Sequence, residues 1–463
     1  MASNLNANLF KKYDIRGQAE GAGVVLTTVA AAAIGRAFGT YVQHNHALRE
    51  VVVGRDNRAS SPALQEALME GLGAAGCEVV NLGPVATPVV YWHAVTRGDV
   101  AGVMVTGSHL AADQNGFKLC VGNRTLHGDE IQALRHIIES DTFSKGGGSQ
   151  KTDETAAESY THDLAGRIPA DRSLRVVIDS GNGIGGLFGP QLIQAWGHEV
   201  IECLYCEPDA AYPNHQPDPQ NAANMRDLSA KVRETQADVG IAFDGDADRM
   251  GAVDENGDMI AADRLLALLA IDMLRRNPGE AVVADVLSSQ VLFDVVREHG
   301  GEAFMAPSGH SLVKDAMRDH AALLGGEMSG HIFLGENYFG YDDGFLAAGR
   351  LLQVVAASDK TLSQLDADLP RLYSTPEYRP HCPDEMKQRV IDGVTEALKD
   401  EGDVVTIDGL RIQFDRGWGL LRASNTEPVL SLRFEGETEA NALAYKTRFE
   451  DVLKSYPEVG ALE

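Results

Sequence analysis

Short apolar strands alternate with helical segments along most of this sequence, and this alternation limits the fold more than any other feature. Strands are predicted at 51–53, 100–105, 175–178, 237–243 and 281–286. Repeated strand–helix units favour mostly parallel sheets, and ligands of such sheets bind outside the carboxyl ends of the strands. Ser108, Asp179, Asp244 and Asp285 lie at or just after the ends of predicted strands. We therefore expect these four residues at sheet edges where a ligand can bind.

The chain has 463 residues, which is too long for one compact core, so three or four domains are expected. A Gly/Ser-rich segment at 144–149 indicates one boundary, because such segments commonly link domains. A polar turn at 254–258 precedes a new helix. Beyond residue 368 the pattern changes to short strands joined by turns, followed by a final helix at 437–453. This last part is predicted to be a separate α+β domain.

The charge of the chain argues against two classes of main partner. The sequence has 67 acidic and 40 basic residues, and its formal net charge is -27. Duplex nucleic acid and anionic membranes both favour cationic surfaces, so neither is expected as the main partner. A phosphorylated ligand would also be repelled by the chain as a whole. Its site would therefore need a local group of basic side chains and backbone N–H groups.

The sequence predicts neither a targeting signal nor a disulfide. Residues 1–8 are polar and lack the basic start and apolar core of a signal peptide. The Ala-rich stretch at 27–42 is too short to span a bilayer and is expected to be a packed helix. The five cysteines are an odd number without disulfide-like spacing, and the Cys203/Cys206 pair lacks further ligands for a zinc site. These features favour a cytoplasmic protein with reduced thiols.

The motif Thr106-Gly107-Ser108-His109 places a hydroxyl on a tight turn after a predicted strand. Gly107 permits a backbone conformation that a side chain would obstruct, and His109 could bind phosphate or transfer a proton. Lys118 lies ten residues after Ser108 and could return to the same site. In isolation, the motif is more typical of a serine that caps the next helix.

Asp244, Asp246 and Asp248 alternate with Gly and Ala after a predicted strand and are followed by Arg249. Small intervening residues allow a loop to fold three carboxylates around one ion, and oxygen ligands favour magnesium or calcium over zinc. A solvated acidic turn is the alternative, but three like charges in one tight loop repel each other unless a cation lies between them. Together with Ser108, this loop indicates a phosphoryl-transfer centre, in which a serine carries phosphate and a cation neutralises it.

Three further polar segments lie late in the sequence. Residues 327–331 can donate to and accept from sugar hydroxyls, although a plain polar loop would have the same composition. Residues 308–311 form a hydroxyl-rich turn before a helix that contains Lys314. Residues 422–426 combine a guanidinium, two hydroxyls and an amide between strands. That composition suits a phosphate or, equally, an ordinary Ser/Asn turn.

Gly181, Gly183 and Gly186 fit the G-x-G-x-x-G pattern of dinucleotide-binding proteins after a strand, and an acidic residue lies near the expected position. Two polar residues at 179–180 precede the glycines, however, and nothing else in the chain resembles hydride-transfer chemistry. A tight turn that packs a helix on a strand is therefore the favoured interpretation, and NAD(P) binding is the alternative.

Five motifs in this order resemble the alpha-D-phosphohexomutase superfamily, and most closely its bacterial phosphomannomutase/phosphoglucomutase branch. They are the segment at 13–17, the Ser108 loop, and the loops at 244–249, 327–331 and 422–426. The motifs span the whole chain. The last two loops, which read Glu-Met-Ser-Gly-His and Arg-Ala-Ser-Asn-Thr, are more similar to the mannose/glucose branch than to the glucosamine branch.

The resemblance implies an α/β fold with four domains around a central cleft. Three would be related α/β domains with mixed, mostly parallel sheets, and the C-terminal one would be α+β. The implied domains are 1–154 with the phosphoserine loop, 155–256 with the metal-binding loop, 257–368 with the sugar-binding loop and 369–463 with the phosphate-binding loop.

The resemblance also implies roles for individual residues. The implied catalytic residues are Ser108, as the phosphoserine, and His109, Lys118, Arg16 and Arg249. The implied ligands of Mg²⁺ are Ser108, Asp244, Asp246 and Asp248. The implied substrate-binding residues are Tyr13, Ser308, Gly309, His310, Glu327, Ser329, His331, Arg422, Ser424, Asn425 and Thr426.

The implied activity is the interconversion of hexose 1-phosphate and hexose 6-phosphate, for glucose, mannose or both, by a cytoplasmic monomer. Phosphate would pass from Ser108 to the sugar and back through a hexose 1,6-bisphosphate, which would also act as an activator. Leu110-Ala111-Ala112 and Leu287 depart from the family pattern and keep open a sugar-phosphate-binding homologue with weak turnover. A phosphoglucosamine mutase is the other alternative.

Overall fold

The computed structural model describes residues 5–424 and 427–462. Four β-sheets follow one another along the chain, and each packs against helices. This arrangement confirms the predicted α/β class, with four domains of which the last differs from the first three.

The first domain contains a seven-stranded sheet. Its strands are β1 (Ile15–Gln18), β2 (Glu50–Arg55), β3 (Glu78–Pro84), β4 (Ala101–Val105), β5 (Gln114–Val121), β6 (Arg124–Thr125) and β7 (Ser149–Thr152). Its helices are α1 (Thr28–His46), α2 (Ser61–Ala75), α3 (Thr87–Thr96) and α4 (Asp129–Glu139). The sheet order is β1-β5-β4-β2-β3-β7, with β6 paired to β5. Strands β4, β2, β3 and β7 pair in parallel, whereas β1, β5 and β6 add antiparallel.

The second and third domains contain smaller mixed sheets. The second is built from α5 (Ala156–Ala165), β8 (Arg175–Asp179), α6 (Gly189–Ala195), β9 (Glu199–Leu204), α7 (Arg226–Thr235), β10 (Val239–Phe243), β11 (Met250–Val253) and β12 (Met259–Ile260). The third is built from α8 (Ala262–Arg276), β13 (Ala281–Asp285), α9 (Gln290–Glu298), β14 (Glu302–Ala306), α10 (His310–Asp319), β15 (Leu324–Gly326), β16 (Ile332–Leu334), α11 (Gly344–Ala356) and α12 (Leu362–Asp368).

The first three sheets repeat one topology. In each repeat the first strand lies in the centre, the second and third strands pair in parallel on either side of it, and the fourth adds antiparallel beyond the third. This order is β3-β2-β4-β5, β9-β8-β10-β11 and β14-β13-β15-β16. Because parallel strands end at the same edge, each repeat collects its strand-end loops on one side of the sheet.

The fourth domain has a fully antiparallel sheet, in the order β17-β21-β20-β19-β18. Its elements are β17 (Tyr373–Ser374), α13 (Asp384–Leu398), β18 (Asp403–Val405), β19 (Leu410–Phe414), β20 (Gly417–Ala423), β21 (Leu430–Gly436) and α14 (Glu439–Leu453). The predicted change of pattern beyond residue 368 therefore reflects a different architecture.

Three apolar cores account for most of the packing. One continuous core runs through the second and third domains and reaches one face of the first sheet, while α1, α2 and α4 cover the other face. The fourth domain has its own core beneath α13 and α14. It joins the third domain through Arg411. The Arg411 guanidinium stacks 3.9 Å from the centroid of the buried Trp418 ring, which belongs to the fourth domain as well. Arg411 Nη1 also donates to the main-chain carbonyls of Val286 and Ser288.

The Gly/Ser-rich segment at 144–149 lies inside the first domain, whereas the sequence indicated a boundary there. A Cβ at Gly146 would lie 2.8 Å from Gly76 Cα, and a Cβ at Gly148 would lie 2.1 Å from the Cys77 carbonyl oxygen. The chain then forms β7, which pairs in parallel with β3. Gly146 and Gly148 therefore allow close backbone packing at the end of α2.

The prediction that the chain lacks disulfides is wrong at one pair. Cys203, in β9, and Cys206, just after it, form a disulfide. Tyr205 has a left-handed backbone with a φ of 52°. This turn brings the two cysteine Cα atoms to 5.8 Å, a normal separation for a disulfide. The remaining cysteines, Cys77, Cys120 and Cys382, are free and buried.

The predicted Ala-rich helix is α1, which packs directly on α2. A Cβ at Gly35 would lie 2.1 Å from the Leu68 carbonyl oxygen, and a Cβ at Gly71 would lie 2.0 Å from that of Ala32. The two helix backbones are therefore in contact, without side chains between them at these positions. In the described ranges, no helix combines the length and the apolar character needed to cross a bilayer.

Replacing Gly71 with Ala should destabilise the protein, because the new methyl group would force α1 and α2 apart; overpacking of this kind costs about 1–3 kcal/mol. Gly73 lies in the same helix, and a Cβ there would meet no atom within 4 Å. Gly73→Ala should instead stabilise the helix by up to about 1 kcal/mol. Thermal unfolding followed by circular dichroism measures both effects. Equal midpoints for the two variants would contradict the backbone contact.

Candidate active site

Ser108 lies on the turn after β4 and is fully buried. Its backbone is left-handed, with a φ of 51°, and its N–H donates to Thr106 Oγ1 at 2.8 Å. Ser108 Oγ donates to Asp244 Oδ2 of the second domain at 2.8 Å. The structure thus brings the serine hydroxyl to the acidic loop, which lies 136 positions later in the sequence.

Two buried residues that the sequence did not single out, Asp56 and Arg58, hold the Ser108 loop. The Arg58 guanidinium donates to the main-chain carbonyls of Ser108, Leu110, Ala111 and Gln114. Arg58 also pairs with Asp56 at 3.1 Å, and Asp56 accepts from Thr106 Oγ1 at 2.8 Å and from the Gly107 N–H at 3.2 Å. The only available sequence signal was two opposite charges just after a strand, and that pattern does not reveal which loop they contact.

Asp244, Asp246 and Asp248 lie in the loop after β10, and all three are 0% exposed, which excludes a solvated acidic turn. Gly245 permits close packing between domains, because a Cβ there would lie 2.4 Å from the Ser108 carbonyl oxygen. Ligand atoms of the three carboxylates lie within 4.8 Å of one another. Within the described ranges, Oδ1 of Asp246 and Oδ1 of Asp248 have no hydrogen-bond partner. Buried unpaired carboxylate oxygens are costly, so this donor set fits a divalent cation.

Electrostatics within this acidic triad also favour a bound cation. Burial and the charges of Asp246 and Asp248 raise the pKa of Asp244 well above its ordinary value. The pKa of Asp248 shifts in the opposite direction. Burial opposes ionisation of this carboxyl, but Lys118 and His331 hold its pKa well below the ordinary value. The triad therefore needs a further positive charge to be fully ionised.

Two predicted cationic side chains lie at the triad. Lys118, in β5, is 3% exposed, and its Nζ donates to Asp246 Oδ2 at 2.6 Å and also to Asp248 Oδ2. Burial lowers the Lys118 pKa, but these carboxylates outweigh it and raise the pKa above the ordinary value. The Arg249 main-chain N–H donates to Asp244 Oδ1 at 3.2 Å, and its Nε lies 3.9 Å from Asp244 Oδ2. Both side chains can therefore neutralise negative charge at Ser108.

His109 lies beside the serine, with its Nδ1 at 3.3 Å from Ser108 Oγ. Burial and the nearby charges of Arg249, Arg16 and Lys118 lower its pKa well below the ordinary value. The imidazole is therefore neutral near pH 7 and can donate or accept a hydrogen bond at a phosphate oxygen. The Arg16 guanidinium pairs with Asp14, and its charge contributes to the lowered pKa of His109.

The loop at 327–331 lies against the loop at 308–310. Glu327 Oε1 accepts from the Gly309 N–H at 2.6 Å, and Glu327 Oε2 lies 2.8 Å from His331 Nδ1. Ser329 Oγ lies 2.9 Å from the same ring nitrogen. The carboxylate that the sequence assigned to sugar binding is thus oriented by both loops.

His331 connects this loop with the acidic triad, because its Nε2 lies 3.5 Å from Asp248 Oδ1. Burial and a neighbouring guanidinium lower the His331 pKa, but Asp248 and Glu327 outweigh them and raise it to about 9. Asp248, His331 and Asp342 also form a second group of potential metal ligands. Lys314 Nζ already lies 2.7 Å from Asp342 Oδ1, so that carboxylate is neutralised without an ion.

Residues from three domains meet at Ser308. Tyr13 OH donates to the Ser308 carbonyl oxygen at 2.7 Å, and the Ser308 N–H donates to Asp408 Oδ2 at 3.1 Å. Asp408 Oδ2 also accepts from Arg422 Nε at 2.9 Å. One carboxylate therefore links the predicted phosphate-binding arginine with the loop at 308–310. The sequence did not single out Asp408, so its position between Ser308 and Arg422 was not predicted.

Two of the other predicted substrate-binding residues, His310 and Ser424, lie in described parts of the third and fourth domains. His310 begins α10, and its ring centroid lies 5.5 Å from that of His331. Ser424 follows β20, and its Oγ accepts a main-chain N–H at 3.2 Å. Asn425 and Thr426 lie outside the described residues.

The positions that depart from the family pattern have identifiable contacts. The carbonyls of Leu110 and Ala111 both accept from Arg58, so main-chain contacts hold this loop whatever side chains it carries. Leu287 packs in the apolar cluster around Trp418. It therefore contributes to the contact between the third and fourth domains and brings no charge to the site.

The glycines that fit the dinucleotide pattern are required by packing. A Cβ at Gly183 would lie 2.9 Å from Gly245 Cα, and a Cβ at Gly186 would lie 1.9 Å from the Cys206 carbonyl oxygen. These contacts favour the tight-turn interpretation, because Gly183 lets the turn after β8 lie directly on the acidic loop and Gly186 lets it lie against the turn after β9.

Replacing Arg58 with Met should destabilise the protein by about 3–5 kcal/mol, because Asp56 would remain as a buried, unpaired charge. Arg55 is the matched control, since it is only partly buried and donates to a single carbonyl, that of Asp56, at 3.1 Å. Arg55→Met should cost about 1 kcal/mol or less. Urea denaturation of both variants measures the difference. A similar small loss in both would show that Arg58 does not hold the Ser108 loop.

Models of the phosphoglucomutase/phosphomannomutase family match most of the chain. The alpha/beta/alpha domains I, II and III match residues 7–145, 158–257 and 261–373, and the C-terminal domain matches residues 378–452.

Individual proteins match over nearly their full lengths. A phosphoglucomutase of Neisseria gonorrhoeae is 43% identical over 463 residues, covering 99% of each chain. A phosphomannomutase/phosphoglucomutase of Pseudomonas aeruginosa is 43% identical over 457 residues, covering 98% of this chain and 97% of the other. The crystal structure of a phosphoglucomutase/phosphomannomutase family protein from Burkholderia thailandensis matches with a TM-score of 0.93 and 40% identity, covering 99% of this chain and all of that one. With these sequence and structural matches, the chain belongs to the phosphoglucomutase/phosphomannomutase family.

Proposed function

We propose that this protein is a phosphohexomutase that interconverts the 1-phosphate and the 6-phosphate of glucose and of mannose. The observation that carries the proposal is the 2.8 Å contact between Ser108 Oγ and Asp244 Oδ2. It places a nucleophilic hydroxyl beside three buried carboxylates and the buried ammonium of Lys118. The names of the relatives, phosphoglucomutase and phosphomannomutase, support the same chemistry here.

In the proposed cycle Ser108 carries a phosphoryl group. The bond between phosphorus and Ser108 Oγ breaks while the free hydroxyl of a hexose monophosphate forms a new bond to phosphorus, which gives a hexose 1,6-bisphosphate. The bisphosphate then reverses its orientation and returns its other phosphoryl group to Ser108. The proton that the sugar hydroxyl loses in the first transfer returns to the leaving sugar oxygen in the second. The phosphorylated enzyme is thus regenerated, and added bisphosphate would activate any unphosphorylated enzyme.

Charge neutralisation is the main task of the site, since a phosphoserine brings about two negative charges to the three carboxylates. Asp244, Asp246 and Asp248 would hold Mg²⁺ together with the phosphoserine. The ion supplies positive charge at the transferred group. Lys118 and Arg249 would stabilise the remaining negative charge, because both lie at the triad and are largely buried.

Sugar and phosphate recognition would come from the later domains. Glu327 and Ser329 would bind hydroxyls that glucose and mannose share, which supports activity on both sugars. Arg422 and Ser424 would bind the phosphate that does not react. Closure of the fourth domain over the bound sugar would exclude water while the bisphosphate turns.

We also propose that the protein acts as a monomer. A single chain supplies every described residue of the site, so a second copy is not needed to complete it. The net charge of -27 opposes close association of two copies.

Replacing Ser108 with Ala should lower kcat/KM for glucose 1-phosphate by at least about 1,000-fold, because the carrier oxygen is lost. Intact-mass analysis should find phosphate on the wild-type protein and none on this variant. Ser140→Ala, at an exposed position after α4, is the control and should behave as wild type. Coupled assays with mannose 1-phosphate and glucosamine 1-phosphate give the sugar range. Full activity of Ser108→Ala would contradict the mechanism, and binding without conversion by the wild type would favour the weak-turnover homologue.

Removing divalent metal with a chelator should abolish conversion, and Mg²⁺ should restore it. Mg²⁺ should also raise the melting temperature, since a ligand at a hundredfold excess over its Kd stabilises by about 2.7 kcal/mol. Asp246→Asn should weaken both effects, whereas Asp258→Asn, at an exposed position in a turn, should retain them. If Mg²⁺ shifts the melting temperature equally in both variants, the ion does not bind at the triad.

A further inference from the structure

We propose that Asp285 is a positioning residue for sugar binding, which fixes the two loops at 308–310 and 327–329 relative to each other. The inference rests on the proposed function, because it concerns the same site. The sequence placed Asp285 at an edge where a ligand can bind. In the structure this residue ends β13 and is 1% exposed, so it acts on a ligand through its neighbours.

The Asp285 carboxylate contacts both loops directly. Its Oδ2 accepts from Ser308 Oγ at 2.9 Å, and its Oδ1 accepts from the Met328 N–H at 3.4 Å. Oδ1 also accepts from Ser288 Oγ at 2.8 Å, within its own strand-end turn. One side chain on the central strand of the third sheet therefore contacts two loops that are separate in sequence.

A second contact joins the same loops above this carboxylate. The Gly309 N–H donates to Glu327 Oε1 at 2.6 Å, so Glu327 is oriented by the residue that follows Ser308. Gly309 packs closely against the first domain, because a Cβ there would lie 2.8 Å from the Tyr13 ring. The position of the Glu327 carboxylate thus depends on where Asp285 holds Ser308 and Met328.

The charges around Asp285 show which substitution preserves its contacts. Burial and the charge of Glu327 raise the pKa of Asp285 to about 6. A protonated carboxyl can keep its Oδ1 acceptor for Met328 and Ser288 while its other oxygen bonds with the Ser308 hydroxyl in the reverse direction. Asn has the same capacity, with Oδ1 as acceptor and Nδ2 as donor to Ser308 Oγ. Asp285→Asn is therefore the conservative variant, and Asp285→Ala removes all three contacts.

The experiment compares these variants in the full-length enzyme. Asp285→Ala should raise KM for glucose 1-phosphate at least tenfold with less than a threefold change in kcat, because misplaced sugar contacts weaken ground state and transition state alike. Asp285→Asn should restore KM to within threefold of wild type. Calorimetric Kd values for glucose 6-phosphate should follow the KM values. An unchanged KM in a folded Asp285→Ala variant, or an equal rise in Asp285→Asn, would overturn the proposal.

A matched pair keeps the test decisive if Asp285→Ala fails to fold. Ser308→Ala and Ser288→Ala each remove one hydroxyl donor to the same carboxylate, but only Ser308 lies on a sugar loop. KM should rise several-fold in Ser308→Ala and stay within threefold of wild type in Ser288→Ala; equal values would overturn the proposal. The calorimetric arm separates this outcome from a failure of the proposed function. A wild type without mutase activity would refute that function. The Kd values of the wild type and the variants for glucose 6-phosphate would still test the role of Asp285.

Discussion

The contact between the Ser108 turn and the loop at 244–248 governs the rest of this structure, because it fixes how the first two domains pack. It depends on backbone as much as on charge: Gly245 leaves no room for a side chain against the Ser108 carbonyl. Helix α3 of the first domain strengthens the contact, since the Thr87 N–H donates to the Asp246 carbonyl at 2.9 Å and Thr87 Oγ1 donates to Asp246 Oδ2 at 2.5 Å. The acidic triad therefore has its hydrogen-bond partners Ser108 and Thr87 only where the two domains meet.

The repeated topology explains how four domains can supply one site. Each of the first three sheets presents its strand-end loops on one side, so the loops after β4, β10 and β13 can face a common region. The antiparallel fourth domain contributes differently, through Arg422 near the end of β20 and through Asp408 in the turn between β18 and β19. Burial then makes the charges interdependent, as the opposite pKa shifts of Asp244 and Asp248 demonstrate.

The sequence predicted the features that depend on local residue patterns. It did not predict the contacts that depend on backbone atoms distant in the sequence. Strand–helix alternation placed Ser108 and Asp244 at sheet edges, and motif order placed Lys118 and Arg249 near them. Arg58 was missed because its partners are carbonyls of a loop about 50 positions later, which no spacing rule encodes. The Cys203–Cys206 disulfide and the packed segment at 144–149 depend on left-handed or side-chain-free backbone, which composition describes only as turn or linker.

Arg411, which stacks on Trp418 of its own domain, ties the last domain to the third one. Burial lowers the pKa of Arg411 to about 9, and its guanidinium binds carbonyls of Val286 and Ser288. Trp418 Nε1 and Ser289 Oγ also donate to the same oxygen of Glu435, at 2.9 Å and 2.7 Å. The last domain is therefore held at the turn that follows β13, and any displacement of this domain would be transmitted to the end of that strand.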